Sequence, residues 1–211
     1  MTLALVLLAA TAPTALPAAR PVLLVAVQQE TGEPLDSKAL RAIDRDVRTV
    51  WRPYADVALR AANDAVAVAA DDVLTLVITD RHSDGGGGLG WIQFDGDQPS
   101  HTIYVSRTEV VRLGEQGRWI GRAMADWAPK AREIFLERAT AFAIAHEVGH
   151  YLLRSKAHTT GGLMRARITV DELMRARPAK YRLGAAEQAI LRQRMRRYLL
   201  ARNAVGDAPM P

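Results

Sequence analysis

The chain contains no cysteine among its 211 residues. This absence excludes disulfide bonds, thiolate metal ligands and a cysteine nucleophile. Aromatic residues are few, at 6%. The chain is otherwise ordinary in composition, with 49% apolar and 24% charged residues, which is typical of a globular domain with a full hydrophobic core.

Long apolar runs are also absent after the N-terminus, so no later segment is long enough to cross a bilayer. Residues 1–19 are rich in alanine and leucine and carry no charged side chain. We expect them to form a signal peptide, with an uncleaved anchor as the alternative, and we expect the protein to be exported to the periplasm or secreted. The folded domain is then predicted at residues 20–203, followed by a disordered tail at 204–211.

The net charge of +5 is unevenly placed, at −4 for residues 1–150 and +9 for residues 151–211. Such asymmetry can mark a surface that binds nucleic acid or anionic lipid. No nucleic-acid motif accompanies it, however. A solvated, arginine-rich helix face explains the charge, and we expect no nucleic-acid partner.

The order of predicted elements indicates an α+β fold. The prediction rests on short apolar runs, an amphipathic pattern from Asp36, an Asp95-Gly96-Asp97 turn and a first-turn proline at Pro129. Strands are predicted at 21–28, 56–62, 73–79, 89–94 and 102–106, and helices at 107–113, 129–153 and 185–202, with a loop holding Trp119 and Trp127. The expected architecture is a small mixed, mainly N-terminal β-sheet with an edge hairpin, one long helix that carries the motif below, and further C-terminal helices.

The sequence His146-Glu147-Val148-Gly149-His150 lies on the long apolar helix. Four residues rotate a helix by roughly 400°, so both imidazoles leave the same face one turn apart. This spacing suits two ligands of one tetrahedral Zn²⁺. Glu147 can reach a water molecule at the metal without being a ligand, which is the general-base arrangement of zinc peptidases. A metal would also compensate the desolvation of two histidines and a glutamate on an apolar helix.

The sequence resembles the metzincin clan of zinc peptidases in its His146, Glu147 and His150, followed by His158 and Met164. The resemblance implies one catalytic Zn²⁺, His158 as its third ligand, and a methionine-bearing turn at Met164 beneath the metal. Metzincins carry a glycine three residues after the second histidine and the third ligand three residues later. This chain has Leu153 and Lys156 there, so it must leave the helix by a different turn.

The resemblance also implies an extended peptide bound alongside the edge strand of the sheet, by β-augmentation. By analogy, the edge strand would consist of His101, Thr102, Ile103, Tyr104, Val105 and Ser106. An acidic third ligand is the alternative to His158, since gluzincins share the HExxH helix and take a glutamate from a later helix. Glu172 or its neighbour Asp171 would then be that ligand, although Thr169 and Glu172 also fit a capping box that needs no metal.

These observations predict a monomeric zinc metalloendopeptidase that acts on a peptide or protein substrate. The alternative is a non-catalytic zinc-binding or partner-recognition protein, but a structural site has no need of the base Glu147. A basic surface-binding module would leave Glu147 and both helix histidines unexplained. We expect His82 and His101 to be solvated surface residues. Tyr151 and Tyr181 are expected in core packing rather than as oxyanion donors.

Overall fold

The computed structural model describes residues 22–30, 35–62, 72–83, 87–175 and 177–206, with the backbone alone described for 197–206. The predicted signal peptide at residues 1–19 and the end of the predicted tail at 207–211 lie outside the described residues. The last helix continues to Gly206, so the predicted tail begins within a helix. Among the described helices, none is both long and apolar enough to cross a membrane.

The secondary structure follows the predicted order of strands first and helices later, and the α+β prediction is confirmed. The strands are β1 Val22–Gln29, β2 Asp56–Ala61, β3 Asp72–Thr79, β4 Gly90–Asp95, β5 Gln98–Ser106, β6 Arg118–Trp119 and β7 Arg122–Ala123. The helices are α1 Ser37–Trp51, α2 Arg107–Gln116, α3 Pro129–Leu153, α4 Val170–Arg175 and α5 Ala185–Gly206. The region between α2 and α3, predicted as a loop, contains the small β6–β7 hairpin.

Strands β1 to β5 form one sheet in the order β2-β1-β3-β5-β4. Strand β4 pairs with β5 in antiparallel fashion, and the other neighbours are parallel. The prediction that residues 101–106 form the edge strand is therefore wrong. Strand β5, the second strand of the hairpin, pairs with β3 on one side and with β4 on the other. The free edge beside the hairpin belongs to β4.

The hydrophobic core lies between this sheet and the helices α1 and α3. Alternate strand residues supply the sheet side of it, as the period of two requires: Leu23, Val25, Val27, Leu74, Leu76, Ile78, Ile103 and Val105. Trp51, at the end of α1, is fully buried and donates its indole N–H to the carbonyl of Ala145 at 3.2 Å. This hydrogen bond fixes α1 against α3 at the residue that precedes His146.

Candidate metal centre

Helix α3 brings His146 and His150 to one buried face, as the four-residue spacing predicts. Pro129 occupies the first turn of α3. A backbone N–H at this position has no acceptor within the helix, so proline sacrifices no hydrogen bond there. Both histidines are buried, and their Nε2 atoms lie 3.0 Å apart. Two imidazoles therefore point to one place inside the fold.

His158 joins this pair because the chain turns back directly after α3. Arg154 ends the helix in the left-handed conformation at φ 43°, and its N–H donates to the last carbonyls of the helix. The N–H of Ser155 then donates to the carbonyl of His150 at 3.2 Å. The turn places His158 Nε2 3.2 Å from that of His146 and 3.3 Å from that of His150. His158 is exposed, so it closes the group from the solvent side.

The three Nε2 atoms fit a metal ion in separation and in chemistry. A tetrahedral zinc with Zn–N distances of about 2.0–2.1 Å separates its nitrogen ligands by about 3.3–3.4 Å. The Nδ1 of His146 lies 2.8 Å from the carbonyl oxygen of Leu163, and the Nδ1 of His150 lies 2.5 Å from that of Ser155. A carbonyl can only accept, so these Nδ1 atoms carry the protons and the Nε2 atoms present lone pairs. Converging lone pairs repel one another unless a cation lies between them.

The electrostatics of the two helix histidines favour the same interpretation. Burial, followed by the neighbouring His150, lowers the pKa of His146 to about 4. Burial also lowers the pKa of His150. Both rings are therefore neutral near pH 7, which is the form that binds a metal.

Glu147 lies beside this group and next to the free edge of the sheet. Its carboxyl is buried, and burial raises its pKa to about 8; a divalent cation nearby would oppose that shift. Gly90 of β4 provides the space for it. A Cβ atom on residue 90 would lie 3.0 Å from Glu147 Cγ and 2.6 Å from the carbonyl oxygen of Tyr104. No local sequence pattern marks Gly90, because this contact is long-range.

Met164 lies under the ligand helix, against Gly149, and is 1% exposed. The turn that carries it is held by Thr159 N–H donating to the Met164 carbonyl at 2.8 Å. Gly162, at φ 72°, lets the next residue, Leu163, donate to the carbonyl of Arg182 at 2.9 Å. The structure thus places a methionine-bearing turn against α3 at Gly149, the residue before His150.

The acidic alternatives for the third ligand lie elsewhere. Glu172 forms the predicted capping box, accepting from Thr169 N–H at 2.9 Å while its own N–H donates to Thr169 Oγ1 at 3.3 Å. Its other carboxylate oxygen pairs with Arg165. Asp171 pairs with Arg175 at 2.8 Å. Within the described residues, the group of three or more converging donors consists of the three histidines and includes no carboxylate.

A cleft of about 810 Å³ runs over the three histidines and Glu147. The edge strand β4, the helices α2 and α3 and the segment 165–168 line it. None of the residues 101–106 is among those lining it, since β5 lies behind β4. Glu109 and Arg112 of α2 do line it, and no sequence pattern marked either residue.

The remaining candidates lie outside the metal centre. The exposed His82 reaches the buried carboxylate of Glu109, with 2.5 Å between Nδ1 and Oε1. His101 is exposed and packs on Tyr151, whose hydroxyl donates to Asp72. Tyr181 packs on Phe142 with ring centroids 5.0 Å apart. Neither tyrosine lines the cleft.

The chain was compared with known families, curated proteins and solved structures. No family model matches the chain, and no curated protein sequence matches it. Among solved structures it is similar to archaemetzincin from Methanopyrus kandleri, at 15% sequence identity and a TM-score of 0.48. That similarity covers 84% of this chain and 96% of the other.

Proposed function

We propose that this protein is a zinc-dependent peptidase in which His146, His150 and His158 hold the metal and Glu147 is the general base. One observation carries the proposal: three imidazole nitrogens converge within 3.3 Å of one another beside a buried carboxylate. A structural zinc site is usually closed by four protein ligands. Here three histidines converge in a cleft, which suits a catalytic site with an open position.

Zinc held by the three histidines would supply Lewis-acid activation of a water molecule and of the scissile carbonyl. Glu147 accepts the proton of the attacking water and later delivers it to the leaving amine. The burial of Glu147 suits both steps, because a carboxyl that is costly to ionise holds a proton more readily. The carbonyls of Leu163 and Ser155 keep the Nδ1 protons of two ligands in place, which fixes the orientation of their rings.

The free edge of β4 is the proposed binding surface for an extended peptide. The N–H of Ser106 donates to the carbonyl of Leu89 at 2.9 Å. Because hydrogen-bonded and non-hydrogen-bonded pairs alternate in antiparallel strands, Gly90 and Ile92 direct their N–H and C=O groups away from β5. A substrate can therefore add to the sheet as a further strand. Gly90 places that strand beside the carboxyl of Glu147.

The competing function is a non-catalytic zinc-binding or partner-recognition protein. Both functions use the three histidines, and only the peptidase needs a base. The test measures zinc content and cleavage of casein or a peptide library for the wild type, Glu147→Gln and His158→Ala. A peptidase keeps zinc and loses cleavage in Glu147→Gln, and loses both in His158→Ala.

His101→Ala is the matched control, since His101 is an exposed histidine outside the cleft. It should retain both zinc and cleavage. A zinc-loaded wild type that cleaves no peptide would support the non-catalytic function. Zinc retained in full by His158→Ala would remove His158 from the ligand set.

A further inference from the structure

Basic side chains are in excess around the cleft. Lys156, Arg112, Arg165 and Arg167 line it, against the two acidic residues Glu109 and Glu147. Both acidic side chains are buried. The accessible charge that a bound peptide meets is therefore positive.

Three of these basic residues come from two neighbouring walls of the cleft. Arg112 belongs to α2, and Arg165 and Arg167 follow the turn of Met164. The two walls meet at Gly117, just after α2, where a Cβ atom would overlap the side chain of Val170. The three arginines thus come from elements that pack together, while Lys156 lies over the ring of Phe94 at 5.2 Å, on β4.

The three arginines differ in how far their charge is already neutralised. Arg165 pairs with Glu172 and also donates from Nε to the carbonyl of Gly162 at 3.0 Å. Arg112 pairs with Glu109, which it shares with His82. Arg167 is exposed, and among the described residues no carboxylate forms an ion pair with it. Arg167 is therefore the guanidinium most available to a ligand.

Apolar side chains line the cleft together with these arginines. Leu113, Phe142, Ala143 and Ile168 line the same cleft, and Phe142 and Ala143 lie one turn before His146 on α3. A side chain bound here can pack its methylene groups on the apolar residues and pair a terminal charge with a guanidinium group. Glutamate, with two methylene groups below a carboxylate, has that distribution of properties.

We propose that the cleft selects peptides with a glutamate side chain next to the scissile bond, and that Arg167, supported by Arg112, is the specificity-determining residue. This inference rests on the proposed peptidase function, and it specifies the substrate class of the same site. It concerns substrate choice, so it can be tested by binding as well as by cleavage.

The experiment uses three peptides that differ at one position next to the cleaved bond, with Glu, Gln or Lys. Cleavage is measured as kcat/KM with the zinc-loaded wild type. Binding of the fluorescently labelled peptides is measured by anisotropy with zinc-loaded Glu147→Gln. The Glu peptide should exceed the Gln peptide by about two- to fivefold in each assay, as expected of one exposed charge pair. The preference should shrink as salt is raised.

Charge reversal at Arg167 is the decisive variant, because this exposed side chain can be replaced without disturbing the core. Arg167→Glu should invert the order and favour the Lys peptide over the Glu peptide. Arg41→Glu, an exposed arginine on α1 that does not line the cleft, makes the same change in net charge and should keep the wild-type order. Arg112→Lys retains charge above the buried Glu109 and should lower the preference without abolishing folding.

The outcomes separate the two proposals. Cleavage of all three peptides at equal rates, or an unchanged order in Arg167→Glu, overturns the inference and leaves the peptidase function standing. Binding of the Glu peptide that inverts in Arg167→Glu, without cleavage by the wild type, supports the cleft as an acidic-peptide site and contradicts the peptidase function. An inversion equal in Arg41→Glu and Arg167→Glu reflects net charge and also overturns the inference.

Discussion

The thioether of Met164 would overlap a Cβ atom at position 149, so it packs directly against Gly149. Gly149 stands between the two helix histidines, so the helix can approach the Met164 turn only because that side chain is missing. The close contact joins the helix that carries His146 and His150 to the turn that carries Met164. The glycine in His146-Glu147-Val148-Gly149-His150 therefore has a packing reason.

Gly149→Ala should destabilise the protein. Overpacking a filled core costs about 1–3 kcal/mol, although alanine is favoured over glycine in a helix by about 1 kcal/mol. Met164→Ala should cost about 2–5 kcal/mol alone. The double variant should lose less than the sum, because the new methyl group occupies space vacated by the sulfur. Urea unfolding of the four proteins measures this coupling, and strictly additive losses would contradict the contact.

Glu147→Gln should stabilise the metal-free protein at alkaline pH. Burial raises the pKa of Glu147 from 4.5 to about 8. The wild type therefore loses stability as pH rises from 4.5 through about 8, since a buried carboxylate must ionise. Glutamine does not ionise, so the advantage of the variant should grow across that window and vanish at its lower end.

Urea midpoints in the presence of a chelator, taken along a pH series, provide the measurement. Adding zinc should remove the advantage, because the cation favours the ionised carboxylate. If the difference in urea midpoint between the two proteins stays constant with pH, the pKa of Glu147 is not raised by folding.

Glu172→Ala should destabilise the protein without affecting zinc. Loss of the reciprocal cap with Thr169 is expected to cost about 0.5–2 kcal/mol. Glu172→Gln retains a capping acceptor and should cost less. Both variants should contain as much zinc as the wild type by elemental analysis, because the carboxylate already binds Thr169 and Arg165. Zinc loss in the glutamine variant would return Glu172 to the ligand set.

Ile92→Pro should impair peptide cleavage while leaving zinc in place. Proline removes the N–H that Ile92 directs to the free edge of β4, and edge positions of this kind tolerate proline. One lost backbone hydrogen bond to the substrate corresponds to roughly a two- to tenfold fall in kcat/KM. Ile92→Ala removes the side chain and keeps the donor, so it is the control. Equal rates for the two variants would argue against strand addition at β4.

The sequence predicted those features that depend on local chemistry. Helix α3 runs over Pro129–Leu153 as expected, because a first-turn proline and a continuous apolar pattern define it. The spacing of His146 and His150 follows from the helix itself. The capping box of Thr169 and Glu172 could also be predicted, since the two residues are three positions apart.

Features that depend on long-range pairing could not be predicted from the sequence. The hairpin was predicted correctly, but local patterns do not state which arm pairs with β3, and the edge was assigned to the wrong arm. The contact of Gly90 with Glu147 joins residues far apart in the sequence, and no pattern marks it. Ile120 adopts a left-handed conformation at φ 53° in the β6–β7 hairpin, a conformation that a β-branched residue rarely takes.

The left-handed turn at Arg154 has a consequence for how such a site can change over time. Left-handed turns favour glycine, yet an arginine occupies this one, and the chain reaches the third histidine eight residues after the second. A metal bound by the three histidines would fix where the His158 ring must be, while the length and residues of the return path could vary. Two proteins can therefore share a three-histidine centre and differ in the number of residues between its members. Metal chemistry constrains the arrangement of the rings in space, and it leaves their spacing along the chain free.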